Sequence, residues 1–149
     1  MTIEPHPEAV KRRNAYAAFD LNSGDLSKLP RPTRKQAIAV ARRVWRRAVG
    51  RAWPGTWTAG RGNHRSYPRG DTFLVNPGEG WNNIVHGMSH VAYDYLTRRL
   101  PGYRAVCSAK ALLDYSAVPA KGHHTIAHAH LERQMTAHAL ELIGRLGRP

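Results

Sequence analysis

Two stretches of helical periodicity, both bearing histidine, constrain this fold more than any other feature. From Gly80 to Leu100, the residues Trp81, Ile84, Val85, Met88, Val91, Ala92, Tyr95 and Leu96 recur at the spacing of one helix face. His86, His90 and Tyr93 lie on the flank of that stripe, and Pro101-Gly102 ends the helix. From about His124 to Leu146, His124, His128, Leu131, Met135, His138 and Leu142 share one face of a second helix. Two apolar stripes of this length must be covered, and the simplest solution packs the helices on each other. Both then bring imidazoles toward their seam.

A third helix precedes them. Thr33 can cap Arg34 to Val49, with Gly50 as the stop. Ala37, Val40, Ala41, Val44 and Ala48 form its apolar stripe, and Arg42, Arg43, Arg46 and Arg47 cover much of the remainder. Between the helices the period changes. Thr56-Trp57-Thr58-Ala59 reads as a strand, Arg65-Ser66-Tyr67 resumes pairing, Pro68-Arg69-Gly70-Asp71 turns, and Thr72-Phe73-Leu74-Val75-Asn76 is the best strand in the chain. The segment Tyr103 to Lys121 is ambiguous, with a helical piece from Cys107 to Tyr115. Prolines at 5, 7, 30 and 32 and the turn signal Asn22-Ser23-Gly24-Asp25 make residues 1–32 an arm or a loosely docked helix. The expected architecture is α+β: a single domain over 33–149, with a basic N-terminal helix, a small antiparallel sheet and two packed histidine-bearing helices.

At 149 residues the chain is long enough to bury a core, and its 42% apolar and 22% charged content argues against wholesale disorder. The balance of charge is unusual. Lys and Arg number 23 against 10 Asp and Glu, a net charge of +13. No acidic residue occurs between Leu26 and Gly70. Cys107 is the single cysteine, which excludes an intramolecular disulfide and fits a reducing compartment. The N-terminus lacks the apolar run of a signal peptide, and no stretch approaches the ~20 apolar residues needed to span a bilayer. A cytoplasmic protein with no membrane segment is expected; the sequence leaves its oligomeric state open.

Imidazoles at i and i+4 lie one helical turn apart, and such a pair can hold one metal ion, most often zinc. His86 and His90 are the first two ligands on this reading. The last helix offers His124, His128 and Glu132, again at four-residue intervals. Asp94, one turn beyond His90, can hold a ring N–H from outside the ligand shell. The competing reading is that nine histidines in 149 residues produce some four-residue spacings by chance, as surface or core residues.

The run Phe73-Leu74-Val75-Asn76-Pro77, then Gly80-Trp81, then Ile84-Val85-His86-x-x-Ser89-His90 resembles the active-site region of zincin metallopeptidases. The resemblance covers roughly residues 56 to 135 in layout. It implies an edge strand along a substrate cleft, followed by a helix carrying His-Glu-x-x-His. His86 and His90 match its two zinc-ligand positions. The third ligand is implied to come from His124, His128 or Glu132, and the substrate is implied to be a peptide or protein. Gly87 stands where the family has its general-base glutamate. General-base catalysis is worth ~10²–10⁴-fold, so hydrolysis here needs another carboxylate, Glu132 or Asp94, with Glu132 the favoured base; the alternative is a degenerate site that keeps its metal, or only its shape, and has lost the chemistry. Ser89 has no nucleophile-elbow context and reads as a small packing residue.

The arginines support a different function. Arg42, Arg43, Arg46, Arg47, Arg61 and Arg65 lie within the acid-free stretch and are candidates for binding DNA or RNA phosphates. Trp45, Trp53, Trp57 and Tyr67 interleave with them. Aromatics beside arginines can stack on bases, but large aromatics more often fill small cores. On this reading the protein is a basic binding module and the histidines are structural.

Overall fold

The computed structural model describes residues 26–62, 65–100, 102 and 126–146. They form α1 (Arg34–Val49), β1 (Thr56–Ala59), β2 (Tyr67–Arg69), β3 (Thr72–Val75), α2 (Gly80–Arg99) and α3 (Ile126–Leu146), with a 3-10 turn at Pro77–Glu79 leading into α2. This is an α+β fold. Among the described residues no helix is long and apolar enough to cross a membrane.

Local chemistry sets the bounds of α1. Thr33 Oγ1 accepts the Gln36 N–H at 3.2 Å, and Gln36 Oε1 accepts the Thr33 N–H at 3.1 Å, a reciprocal cap. Gly50 closes the other end in the left-handed region at φ 81°, its N–H on the Arg46 carbonyl at 2.9 Å. Arg46 and Arg47 in the last turn face the negative end of the helix dipole.

The sheet corrects one expectation. Its strand order is β1-β3-β2. The β2/β3 pair is an antiparallel hairpin, but β1 and β3 are parallel, with Thr56 opposite Thr72 and Ala59 opposite Val75. The sheet is therefore mixed rather than antiparallel throughout. The cause lies in the connection after β1. It does not turn back on itself but carries the chain to the far side of β3, so β3 inserts between its predecessors. Two further bonds, Thr56 N–H to the Asp71 carbonyl and Gly60 N–H to the Val75 carbonyl, lengthen the parallel ladder at both ends. Pro68 and Arg69, expected in a turn, belong to β2. A proline fits there because β2 is an edge strand and one N–H can be spared.

The three helices pack on one another, α1 also against β1 and β3 and α2 against β2, closing over Val44, Trp45, Phe73, Ile84, Met88, Leu131 and Met135, each at most 1% exposed. Trp45 meets Trp53, Phe73 and Tyr95 edge-on, and Trp57 stacks on Phe73 with ring centroids 4.8 Å apart. The tryptophans are thus core or core-packed residues. Leu26 is wholly buried and Pro32 is buried, so the described end of the 1–32 segment is part of the packing.

Candidate metal centre

α2 packs against α3, and their seam holds the histidines. His86 and His90 stand one turn apart on α2 with rings perpendicular and centroids 4.6 Å apart. Their Nε2 atoms face each other at 3.2 Å. Behind His86, Nδ1 lies 2.6 Å from Oε1 of Glu132, which α3 presents and which is only 3% exposed. In the neutral ring, the carboxylate fixes the proton on Nδ1 and leaves the Nε2 lone pair on the side of His90. That hydrogen bond raises the His86 pKa above its usual 6.5, against the opposing effect of burial; the charge of Arg65 lowers it and that of Glu79 adds to the rise.

His128 sits below this pair at 1% exposure. Its ring stacks on His90 with centroids 4.0 Å apart and planes 14° from parallel, and Tyr93 meets it edge-on. Ser89 Oγ donates to the His86 carbonyl at 2.6 Å and lies 2.9 Å from His128 Nε2. A hydroxyl has one hydrogen. With that hydrogen on the carbonyl, the second contact is an N–H of His128 donated to Oγ. The His128 ring is thereby held with Nε2 as a donor, and its Nδ1 lies 3.8 Å from the other Glu132 oxygen.

Gly87 has a structural explanation. Glu79 accepts both the N–H and, at 2.6 Å, the hydroxyl of Ser66, and Ser66 Oγ in turn accepts the Asn76 N–H at 2.9 Å. This clasp presses the Ser66 carbonyl onto α2. A Cβ on residue 87 would lie 2.7 Å from that oxygen, closer than real contacts allow. Backbone fills the space where the zincin motif would place its glutamate. The strand assigned to the substrate cleft is also corrected: β3 is the middle strand, not an edge, so β1 and β2 already occupy both of its hydrogen-bonding sides.

The sequence-derived candidates therefore separate. His86, His90, His128 and Glu132 come together, and His124 lies outside the described residues. Glu132 occupies the place of a ring-orienting group on His86 Nδ1, away from the face shared with His90. Sequence reasoning missed the bonding role of Ser89 and the whole Glu79–Ser66 clasp. Ser89 is three residues after His86 and could have been found as a hydroxyl within reach of its carbonyl; the clasp joins residues brought together only by the fold. Of the arginines, Arg47 pairs with Glu141 at 3.0 Å, while Arg42, Arg43, Arg46, Arg61 and Arg65 are exposed.

Two nitrogen donors of a tetrahedral zinc ion lie roughly 3.3 Å apart, given bonds of about 2.0–2.1 Å. The His86–His90 pair fits that spacing, and the remaining ring nitrogen of His86 is held by a carboxylate, as in many ligating histidines. Among the described residues no group of three or more His, Cys, Asp or Glu is arranged to hold a metal ion. The fit is thus to a pair of donors with an orienting group. No family model, curated protein or solved structure matches the chain.

Proposed function

We propose that this is a zinc-binding protein in which His86 and His90 hold the ion through Nε2. The order of strand, turn and His-x-x-x-His helix is zincin-like, but the groups for peptide hydrolysis are incomplete. The observation that carries the reading is the 3.2 Å approach of two imidazole nitrogens, one of them backed by Glu132. A bound zinc polarises water and carbonyl groups. Around it, the chain's own residues have separable tasks. Glu132 keeps the His86 proton on Nδ1, Ser89 pins His128, and the His128 ring supports His90 by stacking. On sequence, His124 is the candidate for a further ligand, since His128 Nε2 is held by Ser89 and Glu132 Oε1 by His86.

Peptidase activity is low or absent on this reading, because Gly87 supplies no base and β3 offers no free edge to a peptide. A cytoplasmic location is proposed from the single cysteine. The test is metal analysis of tag-free protein after exhaustive dialysis. About one zinc per chain is expected for the wild type, and almost none for His86→Ala or His90→Ala. Zinc retained in full by both variants would overturn the assignment.

A further inference from the structure

The metal site leaves the arginines of α1 unexplained. The buried residues Ala37, Val40, Ala41, Val44 and Trp45 define the inner face of this helix. At 100° per residue, Lys35, Arg42 and Arg46 fall opposite it, with Arg43 beside them. All four are exposed. Among the described residues none of them makes an ion pair or a side-chain hydrogen bond. Their neighbour Arg47 differs, being matched by Glu141 of α3. The described carboxylates are largely committed elsewhere: Glu141 to Arg47 and Arg145, Asp94 to Arg98, Glu132 to His86 and Glu79 to Ser66. Among the described residues, the acids therefore pair away from this ridge and leave it uncompensated.

From this we infer that the outer ridge of α1, Lys35-Arg42-Arg43-Arg46, is a docking surface for the phosphate backbone of duplex DNA. Arg42 and Arg46 lie one turn apart, and the ridge from Lys35 to Arg46 is ~17 Å long at 1.5 Å per residue. That length spans about five base-pair rises of 3.4 Å. Guanidinium forks match phosphate oxygens. A duplex is favoured over single strands because the tryptophans that could stack on unpaired bases lie in the core cluster around Phe73. A lipid surface is disfavoured because the ridge carries no large apolar side chain to insert. Contacts to phosphate alone carry no sequence information, so binding is sequence-independent.

The experiment is fluorescence anisotropy of the full chain with a labelled duplex of arbitrary sequence, titrated at several NaCl concentrations. Wild-type affinity is expected to fall steeply with salt. Arg42→Glu/Arg46→Glu is expected to bind at least ~10-fold more weakly at low salt, with a log–log salt slope shallower by about two units. Arg98→Glu/Arg99→Glu imposes the same charge change at the end of α2 and is expected to stay within about threefold of wild type. Circular dichroism checks that both variants fold. Equal losses in the two variants, no loss in either, equal affinity for a single strand of the same length, or displacement by polyglutamate as effective as by unlabelled duplex would each overturn the inference.

Discussion

At the scale of single residues, Gly87 gives the most discriminating test of how the histidine helix is built. Alanine normally favours a helix over glycine by ~1 kcal/mol. Here the added methyl meets the Ser66 carbonyl at 2.7 Å, and overpacking of this kind costs ~1–3 kcal/mol. Gly87→Ala is expected to lower the denaturant midpoint, and Gly87→Glu, which restores the zincin motif on paper, is expected to lower it further without producing peptidase activity. Glu132→Gln keeps an acceptor near His86 Nδ1 but removes the charge. It is expected to weaken zinc binding ~10–100-fold, measured by competition with a chromophoric chelator. His138 yields a pH prediction. Burial lowers its pKa below 6.5, and the Arg47 charge lowers it further, against a smaller pull from Glu141. A lowered pKa means that the unfolded chain takes up the proton first. Stability is therefore unaffected by this residue above pH 6.5 and declines as pH falls from there through the folded value. The difference in stability between wild type and His138→Gln, measured by urea denaturation, is expected to shift in favour of the variant across that window.

Among the elements, α1 stands on its cap. Thr33→Ala removes one half of the reciprocal bond with Gln36 and is expected to cost ~1 kcal/mol, read from thermal unfolding. The helices were legible in the sequence because their apolar residues recur at a period that only a helix satisfies, and the ends at Thr33 and Gly50 carried their own chemical signals. The strands were legible as strands but their pairing was not. Nothing in Thr56–Ala59 or Thr72–Val75 distinguishes a parallel partner from an antiparallel one; the choice is made by the path of the connection between them. Pro68 read as a turn former because sequence alone does not tell whether a proline's N–H side faces a neighbour or solvent. The site was half legible for the same reason. The His86–His90 pair is local and follows from helical spacing, whereas the contacts of Glu132 with His86 and of His128 with Ser89 depend on how α3 crosses α2.

For the whole molecule, the proposed metal pair and the proposed docking ridge lie on different parts of the fold. The histidine seam lies between α2 and α3, while the arginines that pair with no described acid lie on the outer ridge of α1. A ligand that binds only the folded state stabilises it by mass action, about 2.7 kcal/mol at a hundredfold excess over Kd. Zinc is accordingly expected to raise Tm in wild type and to leave His90→Ala unmoved. Nuclear magnetic resonance of the imidazole nitrogens reads the centre most directly, since long-range proton–nitrogen correlations assign each ring's protonated and bare atoms. Addition of one equivalent of zinc is predicted to shift Nε2 of both His86 and His90 to metal-bound values, with Nδ1 of His86 still protonated against Glu132 and Nε2 of His128 still protonated toward Ser89. Spectra in which neither Nε2 moves, or in which zinc goes to His128 Nε2 while His90 is unaffected, would contradict it.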